Sequence, residues 1–503
     1  MGAVPLQVLW PVLLGFALFI YGVLSHSKKA HSDIPIVKHS IFLPDWLNRR
    51  IFFLNAPAQI QHGYNKYNDV PFRVLRPDKD LLVLPARYLK EIRQIPSCRL
   101  NLIEAEYNNV LGDYTNILKN SELAGTTVLR KLNPAIGRIL PRTMLELNYA
   151  FDVEIPPCTD NWVSIKLYDV ILRLISRVVS SVVFSDIKTS RNEKWVDILR
   201  NYSHNLGPTI FFLRPTPEIL RPLVARLIPS VQRLRRQLHW VQEELVIPTI
   251  AVRRAAEASD PMYQKPDDFL QWMMDVAAND IDRNPRNIAQ SMLVVASVGM
   301  MHTSTMLTTH ALYDILTHPE YLEPLREEIK QTHLDGWTNS TTMAFANQSK
   351  LDSLLRETLR FNPPAEVSTQ RIAKEPFTFS DGLTISDDLQ ICFPSGPMAR
   401  DSTIIPDAHI YDAFRWCREP SMTTAKLVSI NETNLHFGYG RLACPGRFFS
   451  SGTIKAVISR FLGEYDMRFE KEDQGRPSNL RLGEQIMPSM WTKVLIRKRV
   501  VKN

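Results

Sequence analysis

The stretch Phe437-Gly-Tyr-Gly-Arg-Leu-Ala-Cys444-Pro-Gly-Arg-Phe-Phe449 decides the reading of this chain. Gly438 and Gly440 permit a tight turn and let the backbone come close to a flat ligand. Cys444 precedes Pro445, a residue favoured at the first position of a helix. The pattern predicts a helix over 445–463. The orphan N–H groups of its first turn would point back at the sulfur, and with the helix dipole they favour a thiolate. Gly446 keeps the next turn thin. A thiolate held in this way can be an axial ligand to haem iron, where it favours O–O cleavage. A lone Cys-Pro-Gly is more often a structural cysteine ahead of a helix. Phe437, Gly440 and Gly446 at their offsets set this one apart.

The loop resembles the haem loop of the cytochrome P450 superfamily, Phe-x-x-Gly-x-(Arg/His)-x-Cys-x-Gly. One fixed position departs: Leu442 stands where the family has an Arg or His that reaches a haem propionate. Arg441 is the nearest charge, but its side chain should leave the turn in another direction. The resemblance implies the cytochrome P450 fold, mainly α with small β-sheets. It implies haem b with Cys444 as the iron's axial ligand and with Phe437, Gly440, Arg441 and Gly446 around the cofactor.

Working outward, Leu355-Arg-Glu357-Thr-Leu-Arg360 places Glu357 and Arg360 three apart on one helix face. By itself that spacing describes an ordinary surface pair. The resemblance adds Arg415, from Tyr411-Asp-Ala-Phe414-Arg415-Trp416, to make a structural triad beside the haem loop. Planar guanidinium groups forking onto one carboxylate explain the residue types.

Ser297-Val-Gly299-Met-Met-His302-Thr303-Ser304-Thr305 resembles the family's (Ala/Gly)-Gly-x-(Asp/Glu)-Thr on its long central helix. Gly299 and Thr303 share a face. A hydroxyl bonded back to the i−4 carbonyl can loosen a helix locally. The resemblance gives Thr303 the role of bonding dioxygen and relaying protons, and places His302 where the family has an acid. Two readings of His302 stand open: a proton relay near neutral pH, or a structural ring bonded to a neighbouring helix. By position in the family, Arg130 (with Lys131 behind it) and Arg371 are candidates for the propionates, although Arg130 fits a solvated basic face equally well. Val295, Val298, Gly299, Val367, Ser368 and Met487 are candidate substrate-pocket residues, and each could instead be core.

The 503 residues carry 60 Lys+Arg against 52 Asp+Glu, a net charge of +8. Hydrophobic residues at 45% and charged residues at 22% exclude a disordered chain, a collagen-like fibre and a polytopic membrane protein. Five cysteines with no CxxC make no disulfide framework and point to a reducing compartment.

Leu6–Leu24 is apolar apart from Gln7, long enough to cross a bilayer, and is followed by Lys28 and Lys29. The positive-inside rule then leaves the rest of the chain in the cytosol. The expected organisation is an anchor over 1–25, a linker over 26–50 and one haem-thiolate catalytic domain over 51–503. Asn201, Asn339, Asn347 and Asn431 lie in N-x-Ser/Thr sequons, which this topology leaves bare. Strand candidates are Phe72–Leu75, Leu81–Leu84, Phe377–Phe379 and Leu389–Phe393. Helical spacing runs through 165–184, 229–256 and 287–333, with prolines such as Pro141, Pro156, Pro157, Pro208 and Pro285 expected to punctuate it.

The implied function is that of a single-pass monooxygenase of the endoplasmic reticulum membrane. It would insert one atom of O2 into a small apolar natural product, with electrons drawn from NADPH through a separate cytochrome P450 reductase. The central-helix and loop variants look like those of fungal secondary-metabolism members of the ent-kaurene-oxidase-like type, so a terpenoid-derived substrate is expected. The alternatives are desaturation, ring coupling or isomerisation of an alkaloid or polyketide, and a non-enzymatic haem protein. No nucleic-acid partner is expected. The positive charge fits an acidic reductase and an anionic membrane surface.

Overall fold

A computed structural model of the chain describes residues 34–119, 121–334, 336–418, 426–471 and 475–499. The expected anchor over 1–25 lies outside them.

Among the described residues thirteen short strands form four small sheets. The largest takes β1 (Ile36–Val37), β2 (Phe72–Leu75), β3 (Asp80–Val83), β4 (Leu100–Asn101), β6 (Ser368–Ala373) and β9 (Gln390–Phe393) in the order β1-β2-β3-β9-β6-β4. β10 (Tyr465–Phe469), β13 (Lys493–Lys498) and β5 (Val163–Lys166) form a second, in the order β10-β13-β5. The pairs β7–β8 (Phe377–Thr378, Thr384–Ile385) and β11–β12 (Leu480–Leu482, Gln485–Met487) complete the set. In β6 the register slips between Ser368 and Arg371, where Thr369 takes a left-handed φ of 51°. Such a bulge re-aims the side chains around it.

Helices make the bulk of the molecule. The larger ones near the site are α1 (Asp45–Lys66), α2 (Asn133–Glu154), α3 (Leu167–Val183), α4 (Glu193–Leu213), α5 (Pro285–Thr317), α6 (Ser349–Phe361) and α7 (Arg447–Glu464). α3 reads Leu, Val and Ile all round, with serines between, and 15 of its 17 residues are buried. That is the pattern of a helix inside a core. The main apolar cluster joins α2, α3, α5, α6, α7, β10 and β13.

α5 starts on Pro285, with the Asn284 side chain accepting from the Arg286 amide at 2.9 Å. Over Val295–His302 its turns widen to the i→i+5 pattern, an insertion often found at functional sites. Its hydroxyls bond back one turn: Ser297 to Leu293 O, Ser304 to Met300 O, Thr305 to Met301 O and Thr309 to Thr305 O. Among the described residues α5 is the one helix long and apolar enough to cross a membrane by length and composition. Yet 67% of that window is buried within the protein, so it is a core helix.

Two sequence expectations change. Pro141 and Pro208 do not end their helices; both lie inside, in α2 and α4. An internal proline costs about 3 kcal/mol, and each helix offsets this by burying a long apolar face. The expected helix over 287–333 divides at His318, before Pro319, into α5 and a helix over Leu322–Thr332.

Candidate functional site: a cysteine loop facing the central helix

The Cys444 loop closes on itself. The Cys444 amide donates to Phe437 O at 2.7 Å and the Gly438 amide to Leu435 O at 2.9 Å. Gly438 and Gly440 have φ of 76° and 68°, the left-handed region. At Gly440 an added Cβ would stand 2.9 Å from Arg93 Cγ. Asn133, at the start of α2, clamps the loop by donating from Nδ2 to Pro445 O at 3.0 Å.

α7 begins at Arg447, with Gly446 as its cap, two residues later than the sequence pattern predicts. The Gly446 and Arg447 amides do reach the sulfur and pull the thiol pKa down. Burial outweighs them and pushes it above its ordinary value. A metal ion deprotonates a ligating thiol outright. Cys444 remains accessible although Ala443 and Phe449 beside it are buried.

α5 offers a matching face. Gly299 and Thr303 are exposed, while Ala296, Ser297, Met300, Met301, Ser304 and Thr305 are buried. Apart from Val295 of the same helix, nothing lies within 4 Å of where a Gly299 Cβ would sit. Thr303 Oγ1 donates to Gly299 O at 2.8 Å. The part of α5 after Thr303 packs along α7, which ties this face to the cysteine loop. Val295 and Val298 are half-buried on the same helix. His302 is turned to a neighbouring helix: its Nδ1 lies 3.4 Å from the buried Tyr168 hydroxyl of α3. Burial lowers its pKa to about 4, so the ring is neutral. This placement favours the helix-bonded reading of His302 over a ring that titrates near neutral pH.

Glu357, fully buried in α6, is gripped from all sides. Its two oxygens accept from Arg360 Nη2 at 2.7 Å and Arg360 Nε at 2.9 Å. Arg415 Nε donates at 3.3 Å, Trp416 Nε1 at 3.0 Å and the Asp412 amide at 3.1 Å. The guanidinium groups go on to tie the 399–410 segment: Arg360 to Ala399 O and Ala408 O, Arg415 to Pro406 O and Asp407 O. Spacing alone does not find Trp416 and Asp412, although both lie close to Arg415 in the motif. Nor does it find Asn133, for which no sequence signal stands out.

The other candidates scatter. Arg371 is 3% exposed, donates from Nη1 to Gln370 O at 2.6 Å and has no carboxylate in contact among the described residues. Burial brings its pKa down to about 10, with Glu106 the only charge opposing. Arg130 is exposed one turn before Asn133 and lines a polar groove with Lys131, Arg138, Lys265 and Asp275. Arg441 is exposed and Leu442 half-buried. Ser368 is half-buried and Met487 buried. Val367 packs with Phe52, Val74, Leu81, Val83 and Cys392 in the core of the large sheet.

These residues fit a thiolate-ligated haem. Cys444 is accessible in a half-buried loop. The central helix presents an exposed small residue and an exposed hydroxyl. Arg371 is a buried cation with no carboxylate in contact among the described residues, a placement that suits a propionate.

Comparison with known proteins agrees. The cytochrome P450 family model matches residues 157–493. The chain is 42% identical over 495 residues to the cytochrome P450 monooxygenase penP of Penicillium crustosum, covering 98% of this chain and 95% of that one. It is 42% identical over 499 residues to paxP of Penicillium paxilli, covering 99% and 96%. It is 41% identical over 485 residues to AtmP of Aspergillus flavus, covering 96% and 93%. With an accessible cysteine loop, an exposed hydroxyl on the central helix and a buried carboxylate–guanidinium fork in one fold, the chain belongs to the cytochrome P450 family and is a monooxygenase of the oxidoreductase class.

Proposed function

We propose that this enzyme is a membrane-anchored haem-thiolate monooxygenase of fungal secondary metabolism. It hydroxylates a small apolar, terpenoid-derived substrate with electrons passed from NADPH by a separate reductase. The observation that carries the reading is the accessible Cys444 sulfur together with the open Gly299–Thr303 face of α5. Haem b, when bound, supplies the reductive splitting of dioxygen, and the protein supplies binding, orientation and protons.

Cys444 Sγ would hold the haem iron, steadied by the Gly446 and Arg447 amides. Arg371 would pair a propionate, in the absence of a charge at 442, with Arg130 and Arg441 as further candidates. Gly299 would leave room for a small molecule beside α5. Thr303 Oγ1 can swing from Gly299 O to bond oxygen or water, at the cost of one hydrogen bond of about 0.5–1.5 kcal/mol net. Val295 and Val298 form an apolar wall that excludes water from that position.

The residues 1–25 would anchor the chain, leaving the catalytic domain on the cytosolic face of the endoplasmic reticulum. Support comes from the surface near the chain's entry at residue 34. Ile41, Phe42 and Leu54 are exposed, as are Phe212, Ile219, Leu223 and Leu227. The rings of Phe53 of α1 and Phe211 of α4 meet at 5.7 Å between centroids, tilted by 47°, which brings the two helices together. Scattered exposed apolar residues are ordinary, but several on two helices in contact fit a lipid surface. Asn201, Asn339, Asn347 and Asn431 are all exposed, so glycosidase-sensitive mass on the native protein would overturn the topology.

The test of function is to feed candidate metabolites, under 18O-labelled dioxygen, to membranes carrying the protein and a reductase. A product with one labelled oxygen is expected. A rearranged or desaturated product without label would replace hydroxylation by the alternative chemistry.

A further inference from the structure

Tyr168 is fully buried in α3, and a buried phenol hydroxyl needs a partner. Among the described residues its one polar contact is His302 Nδ1, at 3.4 Å. Burial raises the Tyr168 pKa and lowers that of His302, so both groups are neutral near pH 7. With one proton to place on the ring, two arrangements exist. If His302 carried it on Nδ1, the Tyr168 O–H would be left buried without an acceptor, which costs the full desolvation of the group. If the proton sits on Nε2, Tyr168 donates to the bare Nδ1 and both groups are satisfied. The hydrogen bond made by one ring nitrogen sets the state of the other.

We propose that Tyr168 is a positioning residue for oxygenation: its hydroxyl fixes His302 as the Nε2–H tautomer, so that α5 presents a neutral N–H donor one residue from Thr303. The proposal rests on the monooxygenase reading and deepens it. The widened turns over Val295–His302 pack against α3 and α4, which holds the three elements together at this point. The other titratable groups facing the pair are His204 of α4, whose ring lies over that of Tyr168 at 6.1 Å between centroids, and Asp169 and Arg200 around it. Burial keeps His204 neutral too. Among the described residues no charge from these elements contacts His302, and no other donor reaches its Nδ1. The family's acid at this position can donate or accept. A ring fixed in this tautomer can only donate from its remaining nitrogen.

The experiment compares haem-loaded wild type with Tyr168→Phe, reading the ring nitrogen shifts of His302 in 15N-histidine-labelled protein. The wild type is expected to show a protonated Nε2. Loss of one neutral hydrogen bond should move the tautomer ratio by about 2- to 12-fold. With NADPH and a reductase, peroxide released per NADPH should rise in Tyr168→Phe at unchanged haem content. In a His302→Phe background the same change should add nothing. An unmoved tautomer, or an equal peroxide rise in the His302→Phe background, overturns the proposal. A CO complex lacking the thiolate signature in the wild type would instead overturn the monooxygenase reading itself.

Discussion

Exchange of Glu357 for Gln tests how the cysteine loop's neighbourhood is held. The carboxylate has no solvent exposure and accepts five hydrogen bonds, two of them from Arg360, which is itself 2% exposed. The glutamine amide would keep one acceptor oxygen and turn an N–H donor on groups that are themselves donors. At least two bonds are lost and the Arg360 charge is left buried without its anion. Breaking one side of a buried pair costs about 3–5 kcal/mol, or about 160- to 5,000-fold in the unfolding constant. Against a typical total of about 5–15 kcal/mol that is a large share. The assay is a urea titration of haem-loaded protein, followed in parallel by far-ultraviolet circular dichroism and by the CO-complex band. The band should be lost at lower urea than the helix signal, because the 399–410 segment tied by Arg360 and Arg415 loosens first. A companion double change, Glu357→Leu with Arg360→Met, should be less damaging than the single one, since it removes the stranded charge. A loss below about 1 kcal/mol for Glu357→Gln, or a double change as costly as the two singles summed, would refute this account.

Cys444→Ala should abolish the thiolate signature of the CO complex while leaving the far-ultraviolet spectrum intact. Gly438→Ala should cost about 1–2 kcal/mol for a left-handed φ alone, because its nearest contacts are at 3.5 Å or beyond. Gly440→Ala should cost more, since its Cβ also meets Arg93 Cγ at 2.9 Å; thermal unfolding of the two variants checks the order. His302 and His436 are held neutral by burial, with pKa values of about 4 and about 3. The unfolded chain binds their protons near pH 6.5, so each ring subtracts stability as pH falls from about 6.5 toward its folded value. The slope is at most about 1.4 kcal/mol per pH unit for each, and none remains above that window. Denaturant midpoints for His302→Gln and His436→Gln should accordingly be flatter than wild type between pH 4 and 6.5.

The haem loop is legible in the sequence because its constraints are local. Left-handed glycines at 438 and 440 and a cysteine ahead of a helix leave marks in adjacent residues. Glu357 and Arg360 are legible as a helix-face pair, whereas Trp416 reaches the same carboxylate through a fold that brings residues 59 apart together. An apolar residue before a strand, such as Val367, looks the same in sequence whether it faces a pocket or a sheet core, and its packing with Phe52 of α1 is visible only in the fold. The prolines at 141 and 208 mislead for a related reason: local propensity loses when a helix buries most of one side. The sequence position of His302 leaves two roles open, and the contact that bears on them comes from α3, more than a hundred residues away.

The apolar character of α5 has a consequence for synthesis. One flank of the helix is covered by α3, which leaves the ribosome earlier. The other flank packs on α7, which starts 130 residues after α5 ends (447 − 317). At about 5–20 residues per second, a helix hydrophobic enough to be mistaken for a membrane span waits roughly 7 to 26 s for its cover. During that interval the nascent chain presents a second stretch readable by the insertion machinery. Most of its serines and threonines bond back to their own helix and do little to disguise it.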